Sequence, residues 1–142
     1  MSLKVELKPG ERLIVGDSVI TNSDQRTRLF IDGRAPILRE KDILTAETAD
    51  TPSKRIYFAV QLMYLNDDIA KHQGEYFNLV NDLVNAVPSA SLLVDQINNE
   101  ILTGALYKAL KAAKKLIEYE KEIFADAESG SDGISAGGET DC

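Results

Sequence analysis

The groups in this chain best suited to hold a ligand are its cations. All six arginines, Arg12, Arg26, Arg28, Arg34, Arg39 and Arg55, fall in the first 65 residues, although the whole chain carries a net charge of −7. Residues 1–65 hold ten basic and nine acidic side chains, whereas residues 66–142 hold six and fourteen. A guanidinium is planar and offers paired donors, so it suits phosphates and base edges better than an ammonium does. An acidic protein can therefore still hold a polyanion wherever its cations share a face. The bland alternative is a solvated surface of mixed charge.

Within that first block, a strand over residues 26–31 puts Arg26, Arg28 and Phe30 on one face. Lys4 and Lys8 share a face of the first strand, and Arg39 lies in a nearby one. Arginines beside an exposed aromatic on a sheet are a common means of holding unpaired RNA bases. The same pattern also fits Phe30 in the core with solvated arginines around it. A second basic stripe, Lys108, Lys111 and Lys115, has the i, i+3, i+7 spacing of one helix face, with Lys114 adjacent. It can meet phosphates, or Glu118 and Glu122, which follow the pattern, can pair with Lys114 and with each other's neighbours.

Nothing comparable supports catalysis, and the expectation is a protein that is not an enzyme. His72 is the only histidine and Cys142 the only cysteine, which leaves no material for a disulfide framework or a zinc site within one chain. No nucleophile elbow, phosphate-binding glycine loop or EF-hand spacing occurs. Gly10, Gly16 and Gly33 read as turns. No metal and no cofactor is expected.

The elements that carry these residues change type midway. Leu3, Val5 and Leu7 alternate with polar residues at the period of a half-buried strand. Pro9-Gly10, Gly16-Asp17, Asn22-Ser23-Asp24 and Asp32-Gly33 divide the next stretch of chain into short strands, the last being a hairpin signal. At Thr51-Pro52 a helix begins, with threonine as N-cap and proline in the first turn. Asp67-Asp68 and Pro88-Ser89 open two more helices, and Thr103-Gly104 breaks the chain before a last one over about 105–124. The expected fold is α+β. About five short strands form a small antiparallel sheet or sandwich over 1–48, followed by a bundle of about four helices over 51–125. Residues 126–142 are Gly, Ser, Asp and Glu with little to bury, so a disordered acidic tail is expected there. No membrane span is present, and the alternating N-terminus lacks the basic start and apolar block of a signal peptide. A cytoplasmic protein is expected.

Several of these stretches together resemble a known family. Leu7-Lys8-Pro9-Gly10-Glu11, Leu38-Arg39-Glu40-Lys41-Asp42-Ile43, Thr51-Pro52 with Ile56-Tyr57-Phe58 and Met63-Tyr64-Leu65, Tyr107-Lys108-Ala109-Leu110, and Lys115-Leu116-Ile117-Glu118-Tyr119-Glu120 succeed one another as in the FlbT family of flagellar regulators. The likeness covers about residues 3–124. It implies a post-transcriptional regulator of flagellum biogenesis that binds the 5′ untranslated region of flagellin messenger RNA and promotes its degradation or represses its translation. It also implies the small flagellar protein FlaF as a protein partner. Over residues 5–43 a second likeness runs through Gly10-Glu11-Arg12-Leu13, Val15-Gly16-Asp17, Ala35-Pro36 and Arg39-Glu40. These stretches are similar to the small RNA-binding protein CsrA, and Arg39 falls on that protein's RNA-contacting arginine. The first strand departs, since Leu7-Lys8 stands where CsrA has two arginines.

Two functional readings result. In the first, Lys4, Lys8, Arg26, Arg28, Phe30 and Arg39 form an RNA-binding sheet face, with Lys108, Lys111 and Lys115 as a second stripe. In the second, the helices dock a protein partner, FlaF or flagellin, and any effect on RNA is indirect. On either reading a homo-oligomer, dimer or higher, is expected, because a β module of this size is marginal alone.

Overall fold

The structure, a computed structural model, describes residues 2–132, with side chains through Ala125. Five short strands precede four helices, as the α+β reading expects. The strands are β1 (Ser2–Leu7), β2 (Arg12–Val15), β3 (Ser18–Thr21), β4 (Thr27–Asp32) and β5 (Ile37–Arg39). They form two small antiparallel sheets, β1–β4 and β3–β2–β5. A 3-10 turn at Glu40–Asp42 leads to α1 (Pro52–Asn66), α2 (Ile69–Ala86), α3 (Ser91–Leu102) and α4 (Leu106–Asp132). Helix α4 therefore continues seven residues past Ala125, into the first part of the expected tail. The remainder of that expected tail, residues 133–142, lies outside the described residues.

Alternation along β2 and β5 makes the second sheet a middle layer. Paired residues in a ladder point to the same side. Leu13 is paired with Arg39, and Val15 with Ile37; Leu13, Val15 and Ile37 pack with Val5, Leu7, Leu29 and Ile31 of the other sheet. The intervening pair, Ile14 and Leu38, points the other way, into the helical core around Ile56, Val60, Met63, Val94, Ile97 and Leu116. The outcome is three layers: the β1–β4 ribbon, the three-stranded sheet and the helices. Only Val5, Leu7 and Leu13 are fully buried between the two sheets, so the strand module leans on the helices for much of its order.

The helix ends follow the expected chemistry. The Thr51 hydroxyl accepts from the Lys54 backbone N–H, and Asp68 accepts from Lys71 N–H. From α4, the buried Glu120 carboxylate accepts from Ser53 N–H at 3.0 Å. This places a negative charge on the positive end of α1 and ties two helices 67 residues apart in sequence. Gly104, at φ +78, makes the break before α4 that Thr103-Gly104 predicts.

One side of α1 is polar within a largely apolar helix, and it clamps the strand module. Tyr57, Gln61 and Tyr64, at i, i+4 and i+7, share a face. The Tyr57 hydroxyl donates to the Asp42 carbonyl at 2.6 Å. Gln61 pairs with both backbone groups of Leu44, its Oε1 accepting from N–H and its Nε2 donating to C=O, each at 2.9 Å. The Tyr64 hydroxyl does the same for Ile37, accepting from N–H at 3.0 Å and donating to C=O at 3.1 Å. β5 is an edge strand; the Tyr64 bonds satisfy its outward Ile37 groups, and the Gln61 and Tyr57 bonds satisfy Leu44 and Asp42 in the segment that follows. Replacing Gln61 with leucine keeps most of the bulk and leaves both Leu44 groups unpaired. We expect a loss of about 1–3 kcal/mol, read as a lower urea midpoint at unchanged m-value.

Candidate nucleic-acid interface

A series of adjacent cavities that share lining residues follows the seam between the strand module and the helices. Its middle portion, about 510 Å3, lies among Lys41, Asp42, Tyr57, Tyr107, Lys111, Lys114 and Lys115. At Tyr107 and Asp42 it meets a cavity of about 430 Å3 that includes Lys4, Arg39 and Tyr64. Beyond Tyr64 and Tyr107 the seam continues past Arg34 and Lys108, and at its opposite end it reaches Lys54 and Lys121. Ten of the chain's sixteen lysines and arginines line this groove, against three carboxylates among the described residues, Asp42, Asp67 and Glu118. The sign of the groove is thus opposite to that of the chain as a whole. Helix α4 forms one wall; from Tyr107 to Lys121 it advances about 21 Å at 1.5 Å per residue.

The lysine charges are largely available. Lys114 is paired with Asp42, Lys121 with Glu118 at 3.2 Å and Lys54 with Asp50 at 3.4 Å. Among the described residues Lys41, Lys108, Lys111 and Lys115 carry no ion pair. Of the pairings open to Glu118 and Glu122, Glu118 takes Lys121, the neighbour of Glu122, while Lys114 is held by Asp42 and not by either glutamate.

Tyrosines line the groove between the cations. Tyr107 is 47% exposed and borders three of its cavities. Lys111 Nζ lies over its ring at 5.1 Å from the centroid, and the Tyr64 ring centre is 5.8 Å away at 46°. Burial raises the hydroxyl pKa of Tyr57, and the neighbouring Asp42 carboxylate raises it further. Burial also raises that of Tyr64, against the opposing effect of its bond to the Ile37 backbone. Both hydroxyls stay protonated at neutral pH and hold their rings in place. The Tyr57–Gln61–Tyr64 clamp and the Tyr107 ring lie inside sequence stretches that read as core helix and family motif; the signal available was the i, i+4, i+7 polar series in an otherwise apolar run.

The cations singled out on the strands do not make one face. Lys4 is opposite Phe30 in the β1–β4 ladder, and Glu6 is opposite Arg28. Phe30 is 65% exposed, so the core alternative for it falls away. Arg28 shares the outer face of this ribbon but is bound to Glu6 at 3.2 Å. Arg26 precedes β4, and Lys8 comes after β1, beyond the last paired residue; both are exposed and remote from the groove lining. Arg39 points into the layer between the sheets, because it pairs with the inward Leu13. Its guanidinium donates to the Glu6 carbonyl at 3.1 Å, and its Nε is buried without a partner. Lys4 and Arg39 thus border the same series of cavities as Lys108, Lys111 and Lys115, with the Arg39 guanidinium engaged by Glu6, and Lys8, Arg26 and Arg28 do not line it.

These placements separate two arginines that look alike in sequence. Arg39→Ala removes a charge-assisted bond that ties the two sheets, and we expect a stability loss of about 1.5–3 kcal/mol in urea unfolding. Arg28→Ala opens an exposed pair and should cost less than about 1 kcal/mol.

Comparisons with known proteins give a consistent answer. The family model described as "Flagellar protein FlbT" matches residues 3–124. A relative from Bradyrhizobium diazoefficiens, named probable flagellum biosynthesis repressor protein FlbT 1, is 61% identical over 130 residues, covering 91% of this chain and 89% of its own. A Rhodopseudomonas palustris protein named probable flagellum biosynthesis repressor protein FlbT is 56% identical over 125 residues, 88% of this chain and 99% of its own. The flagellum biosynthesis repressor protein FlbT of Caulobacter vibrioides is 38% identical over 142 residues, 98% of this chain and 99% of its own. No solved structure matches the chain. The match across the strand module, the clamp and the α4 stripe alike makes this chain a member of the FlbT family of flagellar proteins.

Proposed function

We propose that this protein is a post-transcriptional regulator of flagellum biogenesis that binds the 5′ untranslated region of flagellin messenger RNA along the cationic groove. The names of its relatives support a repressor of flagellum synthesis. The observation that carries the RNA reading is the gathering of ten cations on one seam of a protein whose net charge is −7. Phosphates spaced along a strand suit lysines spaced along α4, and each one neutralised releases a counterion. In this reading the protein contributes binding only. Occupying the leader represses translation or promotes degradation, with cleavage by a separate nuclease.

A second reading, a protein-interaction module for FlaF or flagellin, is favoured by a separate apolar groove. It holds about 280 Å3 and is lined by Leu83, Val87, Leu116, Ile123 and Phe124 at the meeting of α2 and α4. A homo-oligomer is compatible with both readings, and the exposed Val19 and Phe30 would be its natural contacts.

Binding of the purified protein to a flagellin leader, titrated with salt, separates the two. On the first reading affinity falls steeply as salt rises. Each phosphate neutralised on a single strand contributes about 0.7 to the slope of log K against log salt, so Lys111→Gln with Lys115→Gln flattens that slope by about 1.4. Salt-independent binding, or a doubly substituted protein that binds like the original, rejects the groove. Capture of FlaF or flagellin from nuclease-treated extract, with no measurable RNA binding, favours the second reading.

A further inference from the structure

The groove has a feature that charge alone does not require: its cations are interleaved with tyrosines whose positions are locked. Tyr64 is fixed by two bonds to Ile37, Tyr57 by one to Asp42, and Tyr107 rests against Tyr64 while half-exposed to the groove. A duplex presents its phosphates outward and keeps both faces of every base covered by neighbours. It can use the lysines but not a tyrosine face. An unpaired strand can use both.

We propose that the groove takes a single-stranded segment of RNA, with the Tyr107 ring stacking one unpaired base and Lys108, Lys111 and Lys115 holding the phosphates beside it; this rests on the RNA reading given above. Lys111 covers the Tyr107 ring in the free protein. A cation held over an aromatic face at an exposed site contributes little, about 0.5–1 kcal/mol, so a base displaces it readily. The displaced ammonium is on a flexible four-carbon stem and moves to a phosphate. One event thus creates a stacked base and a new charge interaction. Tyr64, tilted against Tyr107, backs the ring and limits its movement. Asp42, adjoining the same space and paired with Lys114, disfavours a phosphate there and leaves that part of the groove to a base.

The test uses the full chain, a mixed-sequence single-stranded RNA of about a dozen nucleotides and the same RNA annealed to its complement, followed by fluorescence anisotropy across a range of salt concentrations. At each salt concentration the single strand is expected to bind at least about tenfold more tightly than the duplex. Tyr107→Ala and Tyr107→Leu should each weaken single-strand binding about 5- to 100-fold, the range for removing one base–aromatic stack, with an unchanged salt slope. Tyr107→Phe should retain binding. The leucine variant keeps apolar bulk, and equal urea midpoints establish that the fold is intact. Equal affinity for both forms, or a Tyr107→Leu protein that binds like the original, overturns the stacking proposal and leaves RNA regulation through charge standing. Failure of both RNAs to bind overturns both.

Discussion

The architecture depends on a line of hydrogen bonds from one helix to the backbone of another segment. Tyr57, Gln61 and Tyr64 of α1 reach across to residues 37–44 and satisfy five backbone groups there. Most side-chain hydrogen bonds go to backbone or water, and these go to backbone 15 to 27 residues away in sequence. Here Tyr64 takes up the outward groups of the edge strand β5, and Gln61 and Tyr57 hold the segment after it. The consequence is a strand module docked at a fixed height above α1 and α4, with a seam left open between. Packing through Ile14 and Leu38 supplies the apolar contact, but it is non-directional. The polar line fixes where the module sits, and so the width of the groove.

That docking resolves the conflict between an acidic chain and an anionic ligand. Net charge governs long-range behaviour; recognition is set by which groups face one another at close range. Lys4, Arg34, Arg39 and Lys41 arrive from the strand module, and the lysines of α4 from the other wall. Of the three carboxylates that line the groove, Asp42 is already bound to Lys114 and Glu118 to Lys121. Other acidic groups among the described residues lie outside the groove lining, and some have structural duties, as Glu120 does at the start of α1.

Much of the fold was legible because it is locally encoded. Thr51-Pro52, Asp68 and Thr103-Gly104 mark boundaries by backbone chemistry confined to a few residues, and the strand alternation of Leu3, Val5 and Leu7 reads directly. The groove was not legible in the same way. Its parts lie about a hundred residues apart, from Lys4 to Lys115, and only tertiary docking makes them neighbours. The α4 stripe could be found from its spacing, whereas its opposite wall could not. Arg39 shows the limit most clearly. The alternation around it identifies a strand, but with both faces of that strand covered, no periodicity distinguishes the layer facing the other sheet from the layer facing the helices. Arg28 and Phe30 do share an outer face, as their spacing implies, yet Glu6, opposite in the ladder, claims the arginine. A cross-strand partner depends on register, which a single strand's pattern does not reveal.

Lysine acylation of the full chain, with and without a flagellin leader RNA and mapped by mass spectrometry, tests the central claim that the seam between the modules is where RNA lies. The account predicts that RNA protects Lys41, Lys108, Lys111 and Lys115, while Lys8 and Lys71, which lie outside the groove, react at unchanged rates. Protection of Lys8 with the α4 lysines still reactive would contradict it and return the RNA to the strand surface.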